Sequence, residues 1–222
     1  MSIEHIVLAG EHLAGIAAEH GFPSFLPIWN HPANADLKAL RKNPNQLLAG
    51  DKLFIPDREV KQVDGAVDQR HRFVASGDTL ELQVKIHDQG FQPLHGEATI
   101  STGDSTKPMS QSGDIFKAPL PRSAKDATLA FPVSPGLRQR PSIHVQPGRL
   151  DPLETLSGQQ QRLNNLGYFA GFARTQASDP KQLDPQMLWA VQEFQCDHLG
   201  PAQADGVPGP ITLKKLKEVY GC

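Results

Sequence analysis

The sequence predicts an α+β chain of several domains. A βααβ head spans residues 1–57, a linker 58–70, a small antiparallel β-sandwich 71–150 and a three-helix module 151–222. Three observations carry this division. Apolar residues of the head recur at helical spacing between two short apolar strands. In the middle, Leu80, Leu82, Val84 and Ile86 alternate with Glu81, Gln83, Lys85 and His87, the period of a strand with one buried face. The C-terminal stretch returns to helical spacing, punctuated by strong start and stop signals.

In the head, His5-Ile6-Val7-Leu8 reads as a strand. Leu13, Ile16, Ala17 and His20 then form one helix face, with Gly21 just past its end. The stretch from Phe22 to Pro32 reads as turns. A second helix begins near Asn34 as N-cap, uses Leu37 and Leu40 as its core face, and stops at Pro44. Lys52-Leu53-Phe54-Ile55 is the closing strand, and residues 58–70 lack a pattern.

Further strands of the middle segment are expected at Ala98–Ile100, Ile115-Phe116, Ala127–Phe131 and Ser142–Val145, with Asp88-Gln89-Gly90 turning the chain after the first. In the last segment Ser157 is the expected cap of a helix carrying Leu163 and Leu166 and ended by Gly167. Asp184-Pro185 places an N-cap before a proline at N1, with Leu188, Val191 and Phe194 as core face. Gly209-Pro210 opens a third helix with Leu213, Leu216 and Tyr220 inward.

Composition narrows the function classes. Hydrophobic residues make up 38% and charged residues 21% of the 222, as in a folded globular chain. The formal net charge of −2 speaks against a nucleic-acid binder, which needs a basic face, and against a polybasic membrane anchor. No run approaches the roughly 18 apolar residues of a membrane span, so no membrane insertion is expected. The start Met1-Ser2-Ile3-Glu4-His5 lacks a basic region, and Ile6–Ala9 is shorter than a signal core. The expectation is cytoplasmic synthesis without a signal peptide, with any delivery to the periplasm or a target cell left to a dedicated secretion machine. The two cysteines, Cys196 and Cys222, could bridge, but a reduced compartment favours free thiols, with Cys196 in packing.

The head resembles a LysM domain, in "HIVLAGEHLAGIAAEHG" and in "NPNQLLAGDKLFIPD", where Asn45, Leu47, Gly50, Leu53, Ile55 and Pro56 fall in the family register. The usual Gly-Asp-Thr-Leu is here Gly10-Glu11-His12-Leu13, and the segment between the helices is longer than usual. The resemblance implies binding of N-acetylglucosamine glycans, such as peptidoglycan, between the loop Gly10, Glu11, His12, Leu13 and the loop Pro44, Asn45, Gln46, Leu47, Leu48. The tail, in "QQRLNNLGY", "LWAVQEFQ" and "DGVPGPITLKKL", resembles the three-helix peptidoglycan-binding domain, with Asp205 and Gly206 in its retained turn. The family's earlier Asp-Gly-x-x-Gly turn is replaced by "ASDPKQLDPQM". In the middle segment the run "VKIHDQGFQPLHGEATI" resembles, in pattern, the strand-turn-strand of immunoglobulin-like or transthyretin-like modules. The combination is also similar to small proteins encoded beside type VI secretion spike and effector genes, through Ile28-Trp29, His31-Pro32, Asn34, Arg41, Asn43-Pro44, Leu47 and Gly50-Asp51.

Catalysis finds little support in the residues. No zinc-hydrolase, nucleophile-elbow or P-loop motif occurs, and the nine histidines are scattered, so neither a metal nor another cofactor is expected. Cys196 and His198, two apart on a helix, cannot pair directly. Glu11 and Asp51 read as loop charges rather than a lysozyme-like pair. Trp29, near the glycan groove, is open between stacking and packing, whereas Trp189 is expected to pack. The expected function is non-catalytic binding of peptidoglycan in a type VI secretion setting. The alternative is an adaptor, chaperone or immunity protein that docks a secretion effector or spike. A wall hydrolase stands third.

Overall fold

The computed structural model describes residues 2–59, 62, 64–72, 80–87, 92–131, 142–171 and 183–221. The chain divides into two compact units, Met1–Arg149 and Leu150–Cys222. The first holds two hydrophobic cores and the second holds one.

The first core belongs to the head. Strand β1 (Ile3–Ile6) pairs antiparallel with β2 (Lys52–Ile55), from Ile3 opposite Ile55 to Ile6 opposite Lys52. Between them lie α1 (Leu13–Glu19), α2 (Leu26–Trp29), a single 3₁₀ turn at Pro32–Asn34, and α3 (Ala35–Arg41). The first strand thus starts two residues before the expected His5–Leu8. Its register is set by β2, and Leu8 beyond it is exposed.

The stretch expected as turns contains α2. Pro27 occupies the first helical turn, where no backbone N–H is needed, so this proline starts a helix rather than breaking one. Ile28 and Trp29 of α2 enter the core with Leu13, Ile16 and Leu53. Helix α3 has no fully buried residue: Leu37 lies partly buried against the core, but Leu40, an expected core residue, is 61% exposed. Asn34 stands at the N-cap of α3, but its side chain makes no cap bond and reaches instead to β2.

The second core lies between two antiparallel sheets. Strands β3 (Leu80–Lys85), β4 (Thr99–Thr102), β5 (Ser105–Pro108), β6 (Ser110–Ser112), β7 (Ile115–Leu120), β8 (Ala127–Ala130) and β9 (Ser142–Val145) form sheets in the orders β3-β7-β6 and β5-β4-β8-β9. The register sets Leu80 opposite Leu120, Leu82 opposite Ala118 and Val84 opposite Phe116, so apolar rows coincide on one face. Ile100 faces Leu129 in the other sheet, and Phe116 meets Phe131 edge-on at 5.9 Å between centroids. The five expected strands are present. Two were not expected, β5 and β6. Both are polar edge strands held by backbone pairing and a few polar side-chain contacts, so they carry no apolar alternation. The expected turn at Asp88–Gly90 lies outside the described residues.

The third core belongs to the C-terminal unit, built from α4 (Leu156–Leu166), α5 (Pro185–Leu199) and α6 (Pro210–Tyr220). Thr155, not the expected Ser157, caps α4: its backbone is extended and its Oγ1 accepts the Gly158 N–H at 3.0 Å. Gly167 ends α4 in the left-handed conformation, and Asp184 caps α5 before Pro185, both as expected. The buried stripe of α5 is Met187, Ala190, Val191 and Phe194, at helical spacing i, i+3, i+4, i+7. Leu188 therefore sits at its margin, while Trp189 and Cys196, both expected to pack, are exposed. Cys196 is a free thiol, and Cys222 lies outside the described residues.

Gly158 is required by close approach. A Cβ there would run into the Pro152 carbonyl oxygen and stand 2.7 Å from the Asp151 carbonyl oxygen. Arg162, fully buried, donates from Nη1 to Asp151 O at 2.9 Å and to Gly158 O at 2.8 Å, tying that backbone to the first turn of α4. Overpacking costs about 1–3 kcal/mol and sometimes more, which outweighs the roughly 0.5–1 kcal/mol that alanine gains over glycine in a helix. Gly158→Ala is thus expected to lower the melting temperature of the C-terminal unit. A variant melting at or above wild type would contradict this close approach.

Candidate functional site

The two head loops implied to bind glycan do come together. The Leu13 N–H donates to Pro44 O at 3.3 Å, joining the Gly10–Leu13 loop to the Pro44–Leu48 loop. Two carboxylates shape them. Glu11 Oε2 accepts from Leu8 N and from the His5 ring, each at 2.8 Å. Asp51 receives the Arg41 guanidinium through both oxygens, at 2.7 and 2.8 Å, and the Leu48 N–H at 2.9 Å. The Arg41 and Leu48 hydrogen bonds hold the Asp51 carboxyl below its usual range, against the opposing effect of burial. Both acids act as loop staples.

Burial separates the implied residues. Leu13, Trp29 and Leu47 belong to the head core; Trp29 is 5% exposed, which resolves its two readings in favour of packing. His12, 7% exposed, caps α1 by accepting the Gly15 N–H on Nδ1 at 3.2 Å. A Cβ on Gly148 would collide with the His12 ring, and one on Gly10 would stand 3.1 Å from Arg149 Cγ. The Gly10–His12 loop is therefore covered by Gly148 and Arg149 of the same unit. Asn45 is exposed, and Gly10, Glu11, Pro44, Gln46 and Leu48 are half-buried. A shallow pocket beside this loop is lined by His12, Glu19, Arg122 and Lys125 among others.

His12 gives the head a pH dependence. Burial lowers its pKa, opposed by the carboxylates of Glu19 and Glu11, and the cap requires an unprotonated Nδ1. A depressed folded value means that this contribution is complete above the ordinary imidazole value of about 6.5. It is lost as pH falls through the lower folded value. The melting temperature of the Met1–Arg149 unit should therefore fall on acidification from pH 7 to 5. The fall should be smaller in His12→Asn, which caps without titrating. Equal acid sensitivity in both proteins would rule out this role.

In the C-terminal unit the Asp205-Gly206 turn is built around Gln195 of α5, the last residue of the "LWAVQEFQ" run. Gln195 is 2% exposed. Its Nε2 contacts Asp205 Oδ1 at 2.8 Å, Thr212 Oγ1 at 2.9 Å and Val207 O at 3.1 Å, while its Oε1 accepts the Gly206 N–H at 2.8 Å. Asp205 Oδ1 also accepts the Val207 N–H at 2.9 Å; this bond and then that from Gln195 lower its pKa. Gly206 has φ +73°, and a Cβ there would lie 2.9 Å from Leu188 Cγ and 3.0 Å from Gln192 Cγ. The turn thus sits directly on α5, against Leu188 and Gln192. Gly206 is buried, whereas Asp205 is exposed.

A second polar cluster joins Tyr168, Asp197 and His198. The Tyr168 hydroxyl donates to Asp197 Oδ2 at 2.9 Å and lies 3.1 Å from His198 Nε2. Burial, then the Asp197 hydrogen bond, raises the Tyr168 pKa, and burial lowers that of His198. These groups pack beside Phe194 and tie α5 to the end of α4. Among the described residues no group of three or more His, Cys, Asp or Glu could hold a metal ion, and no helix is long and apolar enough to cross a membrane.

Helices packed on one small core, with a glycine turn locked before the last helix, define a small helical unit. Residues 159–216, about a quarter of the chain, match the family model named "Putative peptidoglycan binding domain". That stretch runs from α4 through the Gln195-locked turn to Leu216, so the match supports peptidoglycan binding, at a general level, for the C-terminal unit. No curated protein and no solved structure matches the chain.

Proposed function

We propose that this chain is a non-catalytic protein that holds N-acetylglucosamine-containing wall glycan through its C-terminal unit. The observation that carries the reading is the family match over 159–216, which includes every residue that builds the Asp205–Pro208 turn. Four side chains support the non-catalytic part. Glu11 and Asp51 are committed to loop hydrogen bonds, and Cys196 is exposed while His198 is engaged with Tyr168. We read the head as a LysM-type fold, supported by its β1–β2 pair around α1 and α3, and the middle as an immunoglobulin-like sandwich. A second glycan contact at Pro44–Leu48 would add avidity, since linked sites act at about millimolar effective concentration.

A second reading has one observation in its favour. Gly148 and Arg149 cover the Gly10–His12 loop, as in a head that has become a scaffold for protein contacts. Under that reading the chain is an adaptor that docks a type VI secretion effector or spike, and a secretion machine delivers it out of the cytoplasm. Purified peptidoglycan sacculi separate the two. The full chain is expected to sediment with sacculi and to leave them uncleared in a zymogram. Absence of sedimentation would overturn glycan binding, and clearing would overturn the non-catalytic assignment.

A further inference from the structure

The chain has two tryptophans, and burial divides them: Trp29 is 5% exposed and Trp189 is 60% exposed. Trp189 stands on α5 beside the Met187, Ala190, Val191 and Phe194 stripe but outside it, so core formation does not account for it. An indole left in water keeps a large apolar face hydrated, a common property of recognition sites. Its surroundings are specific. Gln192, three residues on and half-buried, borders it on the helix and touches the Gly206 position, where Leu188 also lies. The Asp205–Val207 turn, held by Gln195, packs on the Leu188–Gln192 side of the same helix, with Asp205 and Val207 exposed. An exposed flat aromatic face and an amide thus share the helix that carries the locked, acid-bearing turn.

We propose that Trp189 is the stacking platform for one neutral N-acetylated sugar ring of the wall glycan, with Gln192 and Asp205 as hydrogen-bonding groups at its edge. The inference rests on the wall-binding reading above and deepens it. The C–H bonds of a pyranose ring present an apolar, weakly positive face that suits the negative face of an indole. The hydroxyl and amide groups around the sugar edge suit a carboxylate acceptor and a carboxamide. Charge selects among the parts of the polymer. Glu193, one turn along α5 from Trp189, and Asp205 are both exposed acids, so an anionic stem peptide is disfavoured there and the uncharged N-acetylglucosamine ring is favoured.

The test uses the full chain with sacculi and with an N-acetylglucosamine oligomer of three to five units. Trp189→Ala should fold as wild type, since exposed substitutions change stability by about 0.5 kcal/mol or less. Its retention on sacculi should fall at least tenfold, while Trp189→Phe keeps most of it. Acrylamide quenching reads Trp189 because Trp29 is buried, and the oligomer should protect that fluorescence. If wild type is retained and Trp189→Ala is retained equally, the platform is wrong and the wall-binding reading stands. If wild type itself is not retained, both fail. Protection by an isolated stem peptide but not by the oligomer would overturn the choice of ligand.

Discussion

Gln195→Leu is expected to cost the C-terminal unit about 3–5 kcal/mol, from the loss of several buried hydrogen bonds at about 1–3 kcal/mol for each group left unsatisfied. Leucine fills much of the same volume, so the cost is polar. The buried Gly206 N–H loses its acceptor, Thr212 Oγ1 and Val207 O lose their donor, and Asp205 keeps only the Val207 N–H on Oδ1. A small helical unit has little stability to spare, so most of the variant's C-terminal unit should be unfolded at 37 °C and sacculus binding should vanish with it. Gln195→Glu separates a hydrogen-bond role from a packing role. It keeps the acceptor for Gly206 but sets a second carboxylate against Asp205 Oδ1, 2.8 Å from the present amide nitrogen. It should be destabilised at pH 7 and partly rescued near pH 4, where one of the two acids is protonated. Wild type should show no such gain from pH 7 to 4 and should lose stability only at lower pH. The depressed pKa of Asp205 gives it a contribution that is full above the ordinary carboxylate value of about 3.9 and is lost as pH falls through the lower folded value. Calorimetry across this pH range reads both trends. A Gln195→Leu protein melting within a few degrees of wild type would remove Gln195 from the centre of the turn.

What was legible in the sequence follows from how local each signal is. Asp184 before Pro185, Gly167 after Leu166, and the strands at 52–55 and 142–145 are written in adjacent residues and occur where expected. The strands β5 and β6 were not legible because an exposed edge strand needs only backbone pairing. The two tryptophans show the limit most clearly. Trp189 neighbours core residues in sequence yet falls outside the buried stripe, because one helical step turns a side chain by about 100°. Trp29 sits among prolines in an apparent loop yet enters the core on the unexpected helix α2. For the candidate site, the loops and the Asp205-Gly206 turn are visible from family resemblance, but neither Gln195 as the organiser of the turn nor Asn34 as the tie between α2 and β2 is. Each bonds to backbone ten or more residues away, and such contacts leave no periodic trace.

Asn34 makes the corresponding contribution in the head, and Asn34→Ala is expected to cost about 2–4 kcal/mol through the backbone groups it strands. The residue is buried, with Nδ2 donating to Ile28 O at 2.8 Å and Phe54 O at 2.7 Å and Oδ1 accepting the Phe54 N–H at 2.8 Å. Phe54 directs both of its backbone groups to Asn34, away from its partner strand β1. The carboxamide thus stands where a third strand would pair, on a sheet that has only two. The bond to Ile28 O fastens the end of α2 to the same point, which carries Ile28 and Trp29 into the core. Alanine removes this partner from both Phe54 groups, while Ile28 O keeps the His31 N–H. Aspartate tests the arrangement more sharply, because it preserves size and the acceptor for Phe54 N–H but sets a carboxylate against two carbonyl oxygens. Asn34→Asp should therefore be at least as unstable as Asn34→Ala at pH 7. Trp29 reports the outcome directly in a Trp189→Phe background, where the only remaining indole lies in the head core. Its emission should shift to the red at a lower temperature in both variants. An Asn34→Asp protein as stable as the parent would mean that β2 is held by its apolar face alone and that the amide bracket adds nothing.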